Sequence, residues 1–113
     1  MQVIFTSRAA ESSQLRDPVV QRVQFVMRRM TWLVPRASVQ MSDINGPRGG
    51  VDKRCQVQFA TDRTGTVLVT SVARDWRTAL DSALSRAVRV LMRAWRRTRE
   101  PRTPSRRAIA YDS

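Results

Sequence analysis

The chain of 113 residues contains no histidine and a single cysteine. Without histidine it has no Ser-His-Asp or Cys-His nucleophile pair and no zinc site with histidine ligands. One cysteine forms no disulfide within the chain, so nothing in the sequence requires an oxidising compartment. We therefore place enzymes last among the function classes and expect no metal and no cofactor.

Long apolar runs are also missing. No run approaches the roughly 20 apolar residues of a membrane-spanning helix, and the first residues lack the basic start and apolar core of a signal peptide. We expect a cytoplasmic protein that does not enter a membrane.

Negative charge is scarce, since 21 basic residues face 9 acidic ones and the net charge is +12. The isoelectric point is about 11.8. Lysine is nearly absent, because Lys53 is the only one and the other basic residues are arginine. Arginine grips phosphate through two parallel hydrogen bonds and stacks on nucleobases. This balance favours a polyanionic partner, and nucleic acid first.

Hydrophobic periodicity predicts a strand and a helix in the first third of the chain. Gln2 to Thr6 is short and β-prone. Asp17-Pro18 then resembles a helix start, because aspartate accepts hydrogen bonds from the first free N–H groups and proline is tolerated at the first helical position. Helical spacing of apolar residues continues to Leu33, and Pro35 is predicted to end the helix.

Two runs of alternating polarity and a third run rich in β-branched residues follow, and together they predict an antiparallel meander. They cover residues 37–44, 55–59 and 67–73. On the second run, Cys55 alternates with Val57 and Phe59, which indicates a buried strand residue rather than a nucleophile.

The first two runs are joined by the glycine-rich stretch NGPRGGVDKRC. It is not a phosphate-binding P-loop, because Lys53 follows Asp52 rather than glycine and a strand follows it. Asp43, Asp52 and Asp62 are the only candidates for a metal site in this region, but aspartates at turns are common without any ligand. We interpret the stretch as a hairpin loop whose basic residues Arg48, Lys53 and Arg54 are possible RNA contacts.

A long helix is predicted after Asp75, which would be its N-cap. From residue 99 onward, two prolines and the loss of periodicity predict a disordered basic tail. The sequence thus predicts a domain over residues 1–98 and a tail over 99–113. The domain is an α+β fold of order β-α-β-β-β-α, with one mostly antiparallel four-stranded sheet and both helices on one face.

The outer face of this last helix is rich in arginine. A solvated helix face normally mixes charge signs, whereas Arg89/Arg93 and Arg93/Arg97 place like charges four residues apart, which costs about a few tenths of a kcal/mol per pair. We therefore favour contact with RNA over simple solvation. The arginines on this face are Arg86, Arg89, Arg93, Arg96 and Arg97.

The aromatic residues divide by their positions on the predicted helices. Trp95 lies beside the apolar stripe and is predicted to join the core, while Trp76 is compatible with either environment. Trp32 and Phe25 lie off the core stripe of the first helix. They are candidates for an exposed aromatic surface that stacks on bases, or for a surface covered by the tail or a partner.

Two segments resemble the ribosome hibernation-promoting factors, also called ribosome-associated inhibitor or sigma-54 modulation proteins. The hairpin SDINGPRGGVDKRCQV is similar to that of one branch of the family, and DWRTALDSALSRAVRVLMR is similar to its second helix. The first helix aligns with Arg22 and Arg28 on basic positions of the family. Phe25 and Arg77 depart from the usual pattern. The family's extra C-terminal domain, which pairs two ribosomes, is not present in this sequence, so we expect a short form.

The resemblance implies a protein that binds the small ribosomal subunit and its rRNA and inhibits translation under stress by filling the channel of messenger and transfer RNA. Contacts would come from Arg22, Arg28 and the arginines of the last helix, across a groove between the helices, and the free protein would be a monomer. The alternatives are a general double-stranded-RNA-binding module, a protein-binding regulator, and a membrane-surface protein, which the acidic start of the last helix disfavours.

Overall fold

The computed structural model describes residues 1–8, 14–44 and 52–99. The predicted β-α-β-β-β-α order and the α+β class are confirmed. Arg48 and the predicted tail beyond Arg99 lie outside the described residues. The elements are β1 (Gln2–Ser7), α1 (Arg16–Val26), β2 (Arg36–Asp43), β3 (Lys53–Ala60), β4 (Thr66–Ala73) and α2 (Trp76–Arg99).

The strands form one sheet in the order β1-β2-β3-β4. β1 runs parallel to β2, because α1 carries the chain back across the sheet between them. β2, β3 and β4 pair antiparallel, which confirms the predicted meander. The register places Val39, Val57 and Val69 in one row across these three strands, so their side chains emerge on the same face.

Both helices cover that face. The alternate strand residues below them are buried. The fully buried part of the apolar stripe of α2 ends at Leu91, and Trp95 beyond it packs against the core while partly exposed, as predicted. Burial of each large apolar side chain stabilises the fold by about 1.5–3 kcal/mol. The other face of the sheet carries polar residues such as Ser38, Gln40 and Gln58, and none of the described helices covers it. Cys55 is fully buried, as predicted.

α1 differs from its prediction at both ends. Its N-cap is Leu15, which makes no side-chain cap hydrogen bond, so the prediction that Asp17 is the cap is wrong. The helix ends at Val26, well before Pro35. Beyond it the chain continues in tight turns, in which Met30 N–H donates to Met27 O at 2.8 Å and Leu33 N–H to Met30 O at 3.0 Å. Such turns keep apolar residues at helical spacing, so periodicity alone does not separate them from helix.

The predicted N-cap of α2 is confirmed. Thr78 N–H donates to Asp75 Oδ1 at 2.7 Å, and Thr78 Oγ1 donates to Asp75 Oδ2 at 3.0 Å. The backbone hydrogen bond from Thr78 is the main reason that the pKa of Asp75 is lowered from its ordinary value. The carboxylate is therefore ionised at neutral pH, as the positive end of the helix favours.

An ion cluster around Lys53 joins the base of the β2–β3 hairpin to the start of α2. Lys53 Nζ lies 2.9 Å from Asp43 Oδ2 and 3.5 Å from Asp52 Oδ1. It also lies 5.4 Å from the centre of the Trp76 ring. The Asp52 side chain is 0% exposed, and its oxygens have no hydrogen-bond partner in the part of the chain that the structure describes. Lys53 is thus the counterion of a buried carboxylate.

This arrangement predicts a large effect of Lys53→Met. Removing one member of a buried ion pair leaves an uncompensated charge, which costs about 3–5 kcal/mol. We expect chemical denaturation to show a loss of this size in the free energy of unfolding. Adding Asp52→Asn should restore part of the loss, because it removes the buried charge. A loss below about 1 kcal/mol would contradict the assigned role of Lys53.

Candidate nucleic-acid interface

The main basic feature is the arginine stripe, defined as Arg86, Arg89, Arg93, Arg96 and Arg97 of α2. All its side chains are exposed. α2 has 24 residues and turns by about 100° per residue, so a stripe buried on the sheet leaves the opposite side to solvent. The core under α2 therefore sets the direction in which the arginines point.

The first arginine of the stripe lies toward the β4 edge of the sheet. Arg86 Nη1 donates to Thr70 O of β4 at 3.1 Å. Asp81, by contrast, faces α1 and pairs with Arg22. At about 100° per residue, Arg86 lies about 140° around the helix from Asp81. The other arginines of the stripe lie about 60° to 160° around the helix from Asp81, so Arg89 and Arg96 are nearer the α1 side than Arg86 is. Arg22 lies at the groove between the first halves of the helices, before the stripe begins.

Charge on the stripe is not balanced locally. α2 has no acidic residue after Asp81. Among residues 1–8, 14–44 and 52–99, none of the five arginines takes part in an ion pair. The repulsion between neighbouring arginines is about a few tenths of a kcal/mol per pair and is small beside the apolar burial that holds the helix. The result is a rigid, one-signed surface that attracts anions.

Arg22 sits at the rim of a groove of about 450 Å³ between the first halves of α1 and α2. Its Nε lies 3.1 Å from Asp81 Oδ1, while Arg77 Nε lies 3.8 Å from Asp81 Oδ2. The two arginines thus share one carboxylate, which lowers the net positive charge at this end of α2. The sequence reasoning missed this pair. The available signal was the position of Arg22 and Asp81 at the edges of the apolar stripes of two helices expected on the same face.

Arg28 follows the end of α1. Its Nη1 donates to Phe25 O at 2.8 Å, and its guanidinium lies 4.4 Å from the centre of the Phe25 ring. Trp32, shortly after it, meets Trp95 of α2 at a distance of 5.0 Å between ring centres. Arg28 therefore lies at the same end of the molecule as the last part of the arginine stripe.

The possible loop contacts have different positions. Arg48 is outside the described residues. Arg54 is exposed on the open face of the sheet and donates from Nη2 to Gln56 Oε1 at 3.3 Å. Lys53 has a side chain only 16% exposed and is engaged by Asp43 and Asp52. Of the two that are described, only Arg54 presents its charge to solvent.

The remaining chemically reactive groups lie away from the arginine stripe. Burial raises the pKa of the Cys55 thiol to about 12, so the thiol is protonated at neutral pH and is a poor nucleophile. Asp43 and Asp52 neutralise Lys53, whereas Asp62 is on the β3–β4 turn at the other end of the sheet. In the described ranges, no group of three or more carboxylate or thiol side chains is placed to hold a metal ion. No helix in those ranges is long and apolar enough to cross a membrane.

Known structures share this fold. The ribosomal subunit interface protein from Coxiella burnetii matches with a TM-score of 0.61 and 12% identity, over 88% of this chain and all 100% of that one. The N-terminal domain of Protein Y from Thermus thermophilus matches with a TM-score of 0.60 and 22% identity, over 85% of this chain and 98% of that one.

Both proteins are members of the family that the sequence resembles, so the fold expected from that resemblance is confirmed. No protein-family model matches the chain, and no match was found among curated proteins. At these identities the likeness establishes the fold.

The pairing of Arg22 and Arg77 with Asp81 predicts the effect of Asp81→Asn. The side chains of Arg22 and Asp81 are 41% and 36% exposed, so the free energy of unfolding should fall by less than about 1 kcal/mol. Affinity for RNA should rise by about 1.5- to 5-fold, the equivalent of 0.2–1 kcal/mol, because two arginines lose a competing anion.

Asp17→Asn is the matched control, since it removes the same charge from an exposed position in the first turn of α1. RNA affinity measured at fixed salt should rise less in the control than in Asp81→Asn. A drop in affinity on Asp81→Asn would show instead that Asp81 holds Arg22 in its binding orientation.

Proposed function

We propose that this protein binds the small ribosomal subunit through rRNA phosphates and inhibits translation by occupying the channel of messenger and transfer RNA. The observation that carries the proposal is the arginine stripe, a basic surface that has no ion-pair partner within residues 1–8, 14–44 and 52–99 and lies on a helix fixed by the core. The fold is also that of a ribosomal subunit interface protein, which supports a ribosome-associated role. It acts as a monomer in the cytoplasm, under conditions in which ribosomes are idle.

Binding follows from simple electrostatics. The arginine stripe extends over about 16 Å of helix from Arg86 to Arg97, at a rise of about 1.5 Å per residue. Each guanidinium that meets a phosphate releases condensed counterions, and this release favours binding at low salt. With five such contacts, affinity should fall roughly 10²- to 10³-fold between 50 and 200 mM salt. Arg28 adds a charge at the end where the stripe finishes.

Inhibition requires no bond to be made or broken. A folded domain held against rRNA excludes other ligands from the volume that it fills, so occupancy alone is sufficient. The buried, protonated Cys55 and the fully engaged Lys53 are consistent with a binding protein. The structural role of these groups is to complete the core and the hairpin base.

Charge placement favours the ribosome over any RNA duplex. A general double-stranded-RNA-binding module clusters cations at the start of its last helix to grip phosphates across a groove. Here the start of α2 carries Arg77, whose charge is shared with Asp81 and Arg22. The strongest basic surface lies along the second half of α2 instead. To bind this basic surface, an RNA must therefore present its phosphates along the side of α2.

The test is co-sedimentation with isolated small subunits in the presence of excess duplex RNA. We expect the wild-type protein to sediment with the subunits and the variant Arg89→Glu/Arg93→Glu to remain in the supernatant. The reason is that the variant reverses two charges at the centre of the arginine stripe. Circular dichroism should confirm that the variant is folded, because both side chains are exposed.

Arg8→Glu/Arg36→Glu provides the matched control. It makes the same change of net charge at exposed positions away from α2 and should sediment like the wild type. Equal competition by duplex RNA would identify a general RNA-binding module. No binding to subunits or to duplex RNA would refute the proposed function and leave a protein partner as the remaining candidate for the basic surface.

A further inference from the structure

Trp32 is an exposed aromatic residue with a fixed orientation. Its side chain is 63% exposed. Its indole N–H donates to Arg29 O at 3.1 Å, and its ring meets Trp95 edge to face, with 5.0 Å between ring centres and 75° between planes. Two contacts thus hold the ring while much of it remains in water. A single exposed aromatic residue is not by itself evidence of a binding site, so the residues around Trp32 must supply that evidence.

A depression of about 280 Å³ lies beside the indole and has a mixed lining. Trp32 and Leu33 form one side, and Asp62 and Arg63 of the β3–β4 turn form the other. The turn is well ordered by its own hydrogen bonds, because Thr64 N–H donates to Thr61 Oγ1 at 3.0 Å and Thr61 N–H to Gly65 O at 3.3 Å. Gly65 has φ of 81°, a left-handed conformation that glycine adopts without strain. Both sides of the depression are therefore held in place before any ligand arrives.

The four lining residues have the chemistry of a nucleotide site. An aromatic face stacks on any nucleobase. A carboxylate accepts hydrogen bonds from an exocyclic amino group, as in its known pairing with the amino group of cytosine. A guanidinium binds phosphate. An apolar peptide bound here would leave the charges of Asp62 and Arg63 unpaired. The net charge of +12 also favours a polyanionic ligand over a protein surface with few acidic residues.

We propose that the depression between Trp32 and the β3–β4 turn binds one unpaired RNA base that carries an exocyclic amino group. The indole stacks on the base, Asp62 accepts a hydrogen bond from the amino group, and Arg63 contacts a flanking phosphate. The inference rests on the proposed function for the identity of the polymer as RNA. It adds a base-reading element to a surface that otherwise contacts only phosphates.

The test compares short oligocytidylate and oligouridylate of equal length with the full chain, using fluorescence anisotropy of labelled RNA. The two bases differ at the position that Asp62 is proposed to read. We expect cytidylate to bind at least about fivefold more tightly. Trp32→Leu should weaken cytidylate binding about tenfold or more by removing the stacking face. Asp62→Ala should abolish the preference for cytidylate, while binding to uridylate is retained.

Arg89→Ala is the control for charge alone and should weaken both oligonucleotides equally. Equal binding of the two polymers by the wild type, or no effect of Trp32→Leu on cytidylate, would overturn the inference even if the protein sediments with small subunits. Cytidine monophosphate that binds as tightly as the oligonucleotide would also overturn it, because the site would then be one for free nucleotides. Preference for cytidylate without binding to subunits would sustain this site and reject the proposed function.

Discussion

The packing of α2 on β3 and β4 is the constraint on which the rest of this structure depends. Strands with alternating polarity need a cover for their apolar face, and a helix with one apolar stripe supplies it. Because a helix turns by about 100° per residue, the residues that cover the sheet also fix which residues face water. Leu84 and Leu91 are buried against the sheet, and the arginines between and after them therefore project outward as one surface.

Four of the acidic residues that the structure describes have structural roles. Asp43 and Asp52 hold the only lysine at the base of the hairpin, and Asp81 joins the two helices through Arg22. Asp75 caps α2. Along α2 the separation is complete, because no acidic residue follows Asp81 on that helix. α2 carries seven arginines and one aspartate, so half of the net charge of +12 lies on this one helix, and a polyanion meets little competition there.

Most of the fold followed from the sequence because β2 and β3 alternate in polarity, β1 and β4 are rich in β-prone residues, and α2 has a cap and a long apolar stripe. The start of α1 did not follow, because its N-cap is Leu15 and makes no side-chain cap hydrogen bond. Its end did not follow either, since the tight turns from Met27 to Leu33 bury residues at the same spacing as a helix. The exposure of the arginine stripe was also predictable from periodicity. The position of Arg86 toward β4 was not, because it depends on how α2 is rotated and is visible only from the contact between Arg86 and Thr70.

Contacts between distant segments account for what the sequence did not predict. Asp62 was considered only as a turn residue or a metal ligand, and its position beside Trp32 depends on bringing the β3–β4 turn to the segment after α1. The exposure of Trp32 and Phe25 agreed with the expected positions off the core stripe. Similarly, the spacing of four residues allows the pair of Arg77 and Asp81 on one helix, but the contact of Asp81 with Arg22 depends on how the two helices pack.

The central claim is that the arginine stripe contacts rRNA phosphates, and the salt dependence of binding tests it most directly. Affinity for the small subunit should be measured over a range of salt concentrations for the wild type, Arg89→Ala, Arg93→Ala and the control Arg36→Ala. Loss of one phosphate contact should reduce the slope of log affinity against log salt by about 1. We expect this reduction for Arg89 and Arg93 and none for Arg36. Unchanged slopes for the two stripe variants, or the same reduction in all three variants, would contradict the claim.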